Sequence, residues 1–300
     1  CDYIYEDIIK NEYGFFEIKN KPSKKELQEY YAQKYFQEEK GCYESSYDKS
    51  EVQYFLNKIE QRHQIFKTIS NIEIGNLLDV GSGEGFSLKY FDNIGWECTG
   101  LDFSSAGIRQ NNPSQEGLLV QGDIFENLMQ IMNGKKKFDL ILLDNVLEHV
   151  IDPFELLKNL NNIISDNGVL IVEVPNDFSL FQKYLLDSNH IDKEFWVSPP
   201  DHLSYFNKNG LIKLSSAAGW RVNKVVSDFP IDLDLLNPNS NYIKNSLVGK
   251  ASHRKRIEFE NFIHSMSIEK TNQFYESLLN LGLGRNMTGF FSKCKSKEVL

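Results

Sequence analysis

An apolar run that stops in a dense cluster of glycines constrains this chain more than any other feature. It spans Asn76 to Phe86 and reads NLLDVGSGEGF. Leu77, Leu78 and Val80 read as a buried parallel strand. Gly81 to Gly85 read as the loop leaving its C-terminal end, and Ser87 to Phe91 as the start of a helix. Strand, glycine loop and helix in that order form the ligand-binding turn of an open α/β sheet. Spacing then selects the ligand. Dinucleotide turns read G-x-G-x-x-G, whereas this one reads G-x-G-x-G, with Phe86 where the third glycine would fall. Glu84 lies inside the loop, where its carboxylate would repel a pyrophosphate. Asp79 stands just ahead of the turn, placed to accept from an ammonium. These residues suit a phosphate-free ligand with a cationic amino-acid end and an adenosine end better than they suit a dinucleotide.

Further strands follow at matching intervals. Cys98 to Leu101 ends at Asp102, where a carboxylate can hold a ribose diol by two hydrogen bonds. Leu118 to Gln121 ends in Gly122-Asp123-Ile124. There Asp123 can accept from an adenine amine while Ile124 packs on the ring. Phe138 to Leu143, FDLILL, is nearly all apolar and therefore buried on both faces. It runs into Asp144-Asn145-Val146-Leu147-Glu148-His149-Val150. Val169 to Val174 is a fifth strand, followed by Pro175-Asn176. The motifs DVGSGEG, GLDFS, QGDIF, FDLILLDNVLEHV and GVLIVEVPN, in this order, resemble the class I (Rossmann-like) methyltransferases that use S-adenosylmethionine (SAM). That resemblance implies an α/β fold: a seven-stranded, mostly parallel sheet with an antiparallel last strand at its edge. It implies SAM as cofactor and S-adenosylhomocysteine (SAH) as product. The implied cofactor contacts are Asp79, Gly81, Ser82, Gly83, Gly85, Asp102, Phe103, Ser104, Asp123, Ile124 and Asn145.

Composition bounds the partners. The 300 residues are 41% hydrophobic and 13% aromatic, which supports a full core. A net charge of −9 argues against general affinity for nucleic acid or anionic membrane. No apolar run is long enough to span a bilayer, and the opening CDYIYEDIIK does not read as a signal peptide. Cys1, Cys42, Cys98 and Cys294 are far apart and form no C-x-x-C pair. A reducing cytoplasm is the expected location, and no metal site is expected.

The flanks complete the layout. Pro22-Ser23-Lys24-Lys25-Glu26 predicts a helix start with Ser23 and Glu26 as a capping box. The helix continues as an aromatic stripe to Phe36, which either packs on the main domain or lets Tyr30, Tyr31 or Tyr35 reach over the cofactor as a lid. Glu51 to Ile69 predicts a long amphipathic helix. Phe178 to Leu186 reads as helical. Asn207 reads as the N-cap of a helix over Gly210 to Ala218, ended by Gly219. Arg221 to Val226 reads as the sixth strand, and Arg285 to Cys294 as the last. Between those two strands lies a long insertion with a helix from Arg256 to about Leu281. The expected domains are a helical N-terminal extension (1–50), a cofactor-binding core (51–228), a substrate or lid insertion (229–284), and the last strand with its tail (285–300).

The segments PPDHLSYFN, NYI, SHRKRIEFE and LGLGRNMTGFF narrow the resemblance to bacterial methyltransferases of capsule, lipopolysaccharide and other surface-glycan synthesis. The resemblance implies a small-molecule acceptor, a sugar nucleotide or sugar phosphate methylated on a hydroxyl, and it allows a homodimer. A hydroxyl attacks well only once it loses its proton, so a general base contributes. Histidine suits that role because its ordinary pKa of about 6.5 leaves it largely neutral in cells. Two histidines fall in rim loops. His202 is read as the base, with Asp201 fixing its tautomer, and His149 as an orienting group. The plain alternative for each is a structural histidine. Glu148, Tyr205, Tyr242, His253 and Arg254 are the candidate acceptor contacts, Tyr242 by stacking and His253 with Arg254 by clamping an anion. An N-methyltransferase for an amino sugar or small amine, and a non-enzymatic SAM-binding protein, are the competing readings.

Overall fold

The computed structural model describes residues 7–27, 29, 30 and 47–294. Its main sheet has seven strands: β3 (Asn76–Val80), β4 (Glu97–Asp102), β5 (Leu119–Gln121), β6 (Phe138–Asp144), β7 (Ile164–Pro175), β9 (Trp220–Ser227) and β10 (Asn286–Lys293). Their spatial order is β5-β4-β3-β6-β7-β10-β9. Strands β3 to β7 pair in parallel, with Leu78 opposite Ile141 and Ile141 opposite Leu170. β10 runs antiparallel to both of its neighbours, Gly289 facing Val172 on one side and Val225 on the other. The last strand is therefore antiparallel, but it lies inside the sheet and β9 forms the edge. The expected edge position is corrected by a pairing about sixty residues apart in sequence, which no local pattern reports.

Alternation along each strand sorts side chains to two apolar faces. Leu78, Val80, Ile141, Leu143, Leu170 and Val172 share one core. It is covered by α5 (Ile124–Asn133), α6 (Pro153–Ile163) and α8 (Lys208–Ala217) through Leu128, Leu156, Leu160, Leu211 and Leu214. Leu77, Leu140, Leu142, Val169 and Ile171 share the other. That face is covered by α2 (Lys49–Ile69), α3 (Phe86–Asn93) and α4 (Ala106–Asn111) through Phe66, Phe91 and Ile108. α2 opens on a capping box in which Asp48 accepts from the Glu51 amide and Glu51 from the Asp48 amide.

The N-terminal extension is not purely helical. β1 (Ile8–Lys10) and β2 (Phe16–Ile18) form a hairpin, and β8 (Ser204–Tyr205) joins it in a separate sheet of order β1-β2-β8. α1 follows, with residues 24–27, 29 and 30 described, and Ser23 and Glu26 make the expected box. Tyr30 lines a hollow beside Pro22, Leu27, Pro199 and Pro200. Tyr31 and Tyr35 lie outside the described residues. A third apolar cluster ties the hairpin through Ile18 to Leu185 of α7 (Leu180–Asp187), to Trp196 and Val197, and to Leu235 of the insertion.

The insertion holds two helices where one was expected, α9 (Gly249–Met266) and α10 (Ile268–Asn280). Ser267 leaves helical geometry between them and caps α10 by accepting from the Lys270 amide. The insertion packs on the sheet: Tyr275 and Leu279 sit in its two cores, and Ser227 of β9 donates to the Tyr275 carbonyl. Among the described residues no helix is long and apolar enough to cross a membrane.

Candidate active site

Every parallel strand ends at one rim, and the glycine turn opens there. Gly81 has φ +77°, and a Cβ on it would collide with Val146. The turn thus needs a residue that tolerates left-handed backbone and close approach. Asp102 shapes the loop from the next strand. Its Oδ2 accepts from the Gly83 amide at 2.8 Å and its Oδ1 from the Ser104 amide at 2.9 Å. Burial raises its pKa, and those amides oppose the shift. Phe103 and Ser104 follow directly on β4. Ser82 is buried under the turn.

Beside the turn lies a cleft of about 360 Å³. The sheet supplies Asp79, Gly81 to Gly85, Asp144, Asn145, Glu173 and Asn286. α2 supplies Tyr54, Phe55, Lys58, Ile59 and Arg62, and α9 supplies Arg256. Asp79 is buried, and its pKa is pushed up to about 8 by that burial and by Asp144 and Asp102, against the pull of Arg62. A buried carboxyl with no counter-charge of its own gains one from a ligand ammonium, which draws it to the carboxylate form. Asn145 adopts left-handed backbone at φ +51°, donates its amide to the Glu173 carbonyl at 3.0 Å, and turns its side chain onto Asp144.

Arg62 spans the floor. It donates to Asp144 at 2.6 Å and to Glu173 at 2.5 Å. Burial pushes Glu173 up, but Arg62, Lys58 and the Thr288 hydroxyl outweigh it and hold it below the usual range. Tyr54, Lys58 and Arg62 recur every fourth residue, one stripe of α2 facing the cleft. Sequence reasoning missed this stripe. Its signal was that periodicity, charged where a purely packing face would be apolar.

On the far side of Asn145, Glu148 is 1% exposed and its pKa is raised well above normal by burial, with Asp177, Asp144 and Glu173 adding to the shift. His149 follows it on a short 3₁₀ turn, Leu147–His149. Its Nδ1 donates to the Asp201 carbonyl at 2.6 Å, which leaves Nε2 as the basic nitrogen. His202 stands edge-on to His149, ring centroids 4.9 Å apart. The Leu203 amide donates to the Glu148 carbonyl at 2.8 Å and ties the two loops together. Asp201 thus fixes His149, whereas the sequence reading gave it to His202. Glu148, His149 and His202 each bring a donor atom within 4.8 Å of the others, a set that could hold a divalent cation.

Other expected contacts lie apart from this cluster. Asp123 caps α5 by accepting from the Glu126 amide and lies 3.6 Å from Lys24, while Ile124 packs against the core. Tyr205 is fully buried in β8 and donates to the His202 carbonyl. Tyr242 donates to Asp232 at 2.7 Å, which with burial holds its phenol far above normal, and it packs against the third cluster. Arg254 is exposed and paired with Asp48 and Glu258. The insertion does reach the cleft, but through Arg256: two residues along a helix is roughly half a turn, so Arg254 faces away. His253 does not line the cleft itself but meets Arg256, whose Nη2 lies 3.0 Å from its Nδ1.

A parallel sheet whose glycine turn and rim acids enclose a cleft of this kind defines an α/β protein that binds a nucleoside-bearing cofactor at its strand ends. The family model described as a methyltransferase domain matches residues 47–225, and the chain belongs to that family. It is a SAM-dependent methyltransferase. The ubiquinone biosynthesis O-methyltransferase of Pelagibacter ubique is 26% identical over 191 residues, covering 60% of this chain and 78% of that protein. That of Glaesserella parasuis serovar 5 is 22% identical over 183 residues, 56% and 76% respectively. In fold, the chain is similar to the plantazolicin methyltransferase BpumL, solved with a monoazolic desmethylPZN analog and SAH. The TM-score is 0.52 at 18% identity, covering 90% of this chain and 97% of that one.

Proposed function

We propose that this enzyme methylates a hydroxyl oxygen of a small-molecule acceptor and that the His149–His202 pair takes the hydroxyl proton. The observation that carries the reading is the pair itself, two imidazoles in contact at the rim, His149 a few residues beyond Asn145 and His202 from a distant loop, the first with its tautomer set by a 2.6 Å hydrogen bond. Asp79 is assigned to the cofactor ammonium, Asp102 to the ribose hydroxyls, and Asp123 with Ile124 to the adenine. SAM supplies a methyl group on a sulfonium; the carbon passes to the acceptor oxygen, the C–S electron pair stays on sulfur, and SAH results. The protein aligns the two reactants. His149, its Nδ1–H held by the Asp201 carbonyl, accepts the proton at Nε2, with His202 beside it to share or relay the charge. Glu148, whose pKa burial raises well above normal, lies beside the pair and is assigned a hydrogen bond to the acceptor.

For the acceptor, a sugar hydroxyl of a surface-glycan precursor is supported by the C-terminal motifs alone. The curated relatives are named for ubiquinone biosynthesis, and they support O-methylation without supporting a sugar. The test is a mass-spectrometric screen for gain of one methyl across sugar nucleotides, sugar phosphates and phenols. With the acceptor found, His149→Asn and His202→Asn should each lower turnover by roughly 10²–10⁴ while SAM affinity holds. If neither slows the reaction more than a few-fold, the base assignment fails and N-methylation of an amine becomes the better reading.

A further inference from the structure

Three cations line the cofactor cleft: Lys58, Arg62 and Arg256. Two already have carboxylates. Arg62 holds Asp144 and Glu173 on separate nitrogens. Lys58 lies 3.3 Å from Glu260, which also accepts from the Tyr275 hydroxyl at 2.6 Å. Arg256 differs. Its guanidinium lies over the Tyr54 ring at 5.4 Å, its Nη2 lies 3.0 Å from His253 Nδ1, and its Nε is buried with no hydrogen-bond partner. Among the described residues, no carboxylate lies within ion-pairing distance of it.

We infer that Arg256, carried on the insertion helix α9, clamps the α-carboxylate of the bound cofactor, so that the segment between β9 and β10 closes the cofactor site. The inference rests on the SAM-dependent reading above. A half-buried guanidinium whose buried Nε lacks a partner is costly until an oxyanion reaches it, and a carboxylate matches its fork. The amino-acid end of SAM carries one charge of each sign. The cleft offers two acids without a cationic hydrogen-bond partner, Asp79 and Glu84, of which Glu84 already accepts from the Tyr47 hydroxyl, and one cation without a carboxylate, Arg256. Asp102 and Asp123, assigned above to the adenosine, do not line this cleft, which leaves it to the amino-acid end. The void is of the size of a small ligand's share of a site. Arg62 is the obvious competitor on α2, but its fork is occupied by the floor it supports.

Calorimetry with SAM and with decarboxylated SAM separates this role from a structural one. The wild-type chain should bind SAM about ten- to a hundred-fold more tightly than decarboxylated SAM. Arg256→Gln should erase most of that preference, weakening SAM by a similar factor and leaving decarboxylated SAM within about two-fold. Should that variant fail to fold, Arg256→Lys keeps the charge without the fork and should show a smaller loss confined to SAM. Equal losses for both ligands, or no loss for either, overturn the inference while leaving the enzyme class intact. A wild-type chain that binds neither ligand overturns the class reading as well.

Discussion

At the scale of single residues, Asp79 governs how the cofactor meets the protein. Its carboxyl holds a proton up to about pH 8 in the unliganded fold, whereas an unfolded aspartate loses it near 4. Between those values the folded state binds more protons, so this group makes stability fall as pH rises. A ligand ammonium reverses the balance by favouring the carboxylate. SAM binding near pH 7 should therefore release a proton, tighten as pH rises toward 8, and lose both effects in Asp79→Asn. Calorimetry in two buffers of different ionisation enthalpy reads the proton directly; equal apparent enthalpies would refute the assignment. Asp102→Ala removes the proposed ribose contacts and the brace on Gly83, and should weaken SAM by roughly 2–4 kcal/mol in the same titration. Asp79, Asp102 and the glycines were legible in the sequence because a turn imposes fixed residue types at fixed spacing. Arg256 was not, since its neighbour Arg254 has the same chemistry and only the phase of α9 separates a cleft residue from a solvated one.

Elements carry the next layer of meaning. α2 is both a core helix and the cleft's wall: Phe66 packs inward while Arg62, one turn earlier, anchors β6 and β7 through Asp144 and Glu173. Arg62→Met leaves buried Glu173 without its main counter-charge and should cost about 3–5 kcal/mol, read as a lower urea midpoint with an unchanged m-value. A loss under about 1 kcal/mol would show that Thr288 and Lys58 suffice. The strands β3 and β6 were readable because burial on both faces demands unbroken apolar runs. The β1–β2 hairpin was hidden, its strands only three residues long and its third partner two residues from a distant loop. The break at Ser267 was hidden too, because the apolar periodicity continues on both sides and a single serine is a weak stop.

On the scale of the whole molecule, the cofactor site is shared between the sheet, α2 and the insertion. SAH at a hundred times its Kd should add about 2.7 kcal/mol of stability. If the insertion closes over the ligand, hydrogen exchange in α9 should slow along with that in the glycine turn. Protection confined to the turn would separate the insertion from the cofactor. The interior place of β10 reaches back further, into how the protein is made. During synthesis β9 emerges without a lateral partner, since its neighbour in the sheet among the described residues is β10, about sixty residues later. At roughly 5–20 residues per second, that leaves β7 and β9 as two unzipped edges for roughly 3–12 s on the ribosome. The nascent chain carries its greatest exposure to edge pairing in that interval, and insertion of one strand ends it on both sides at once.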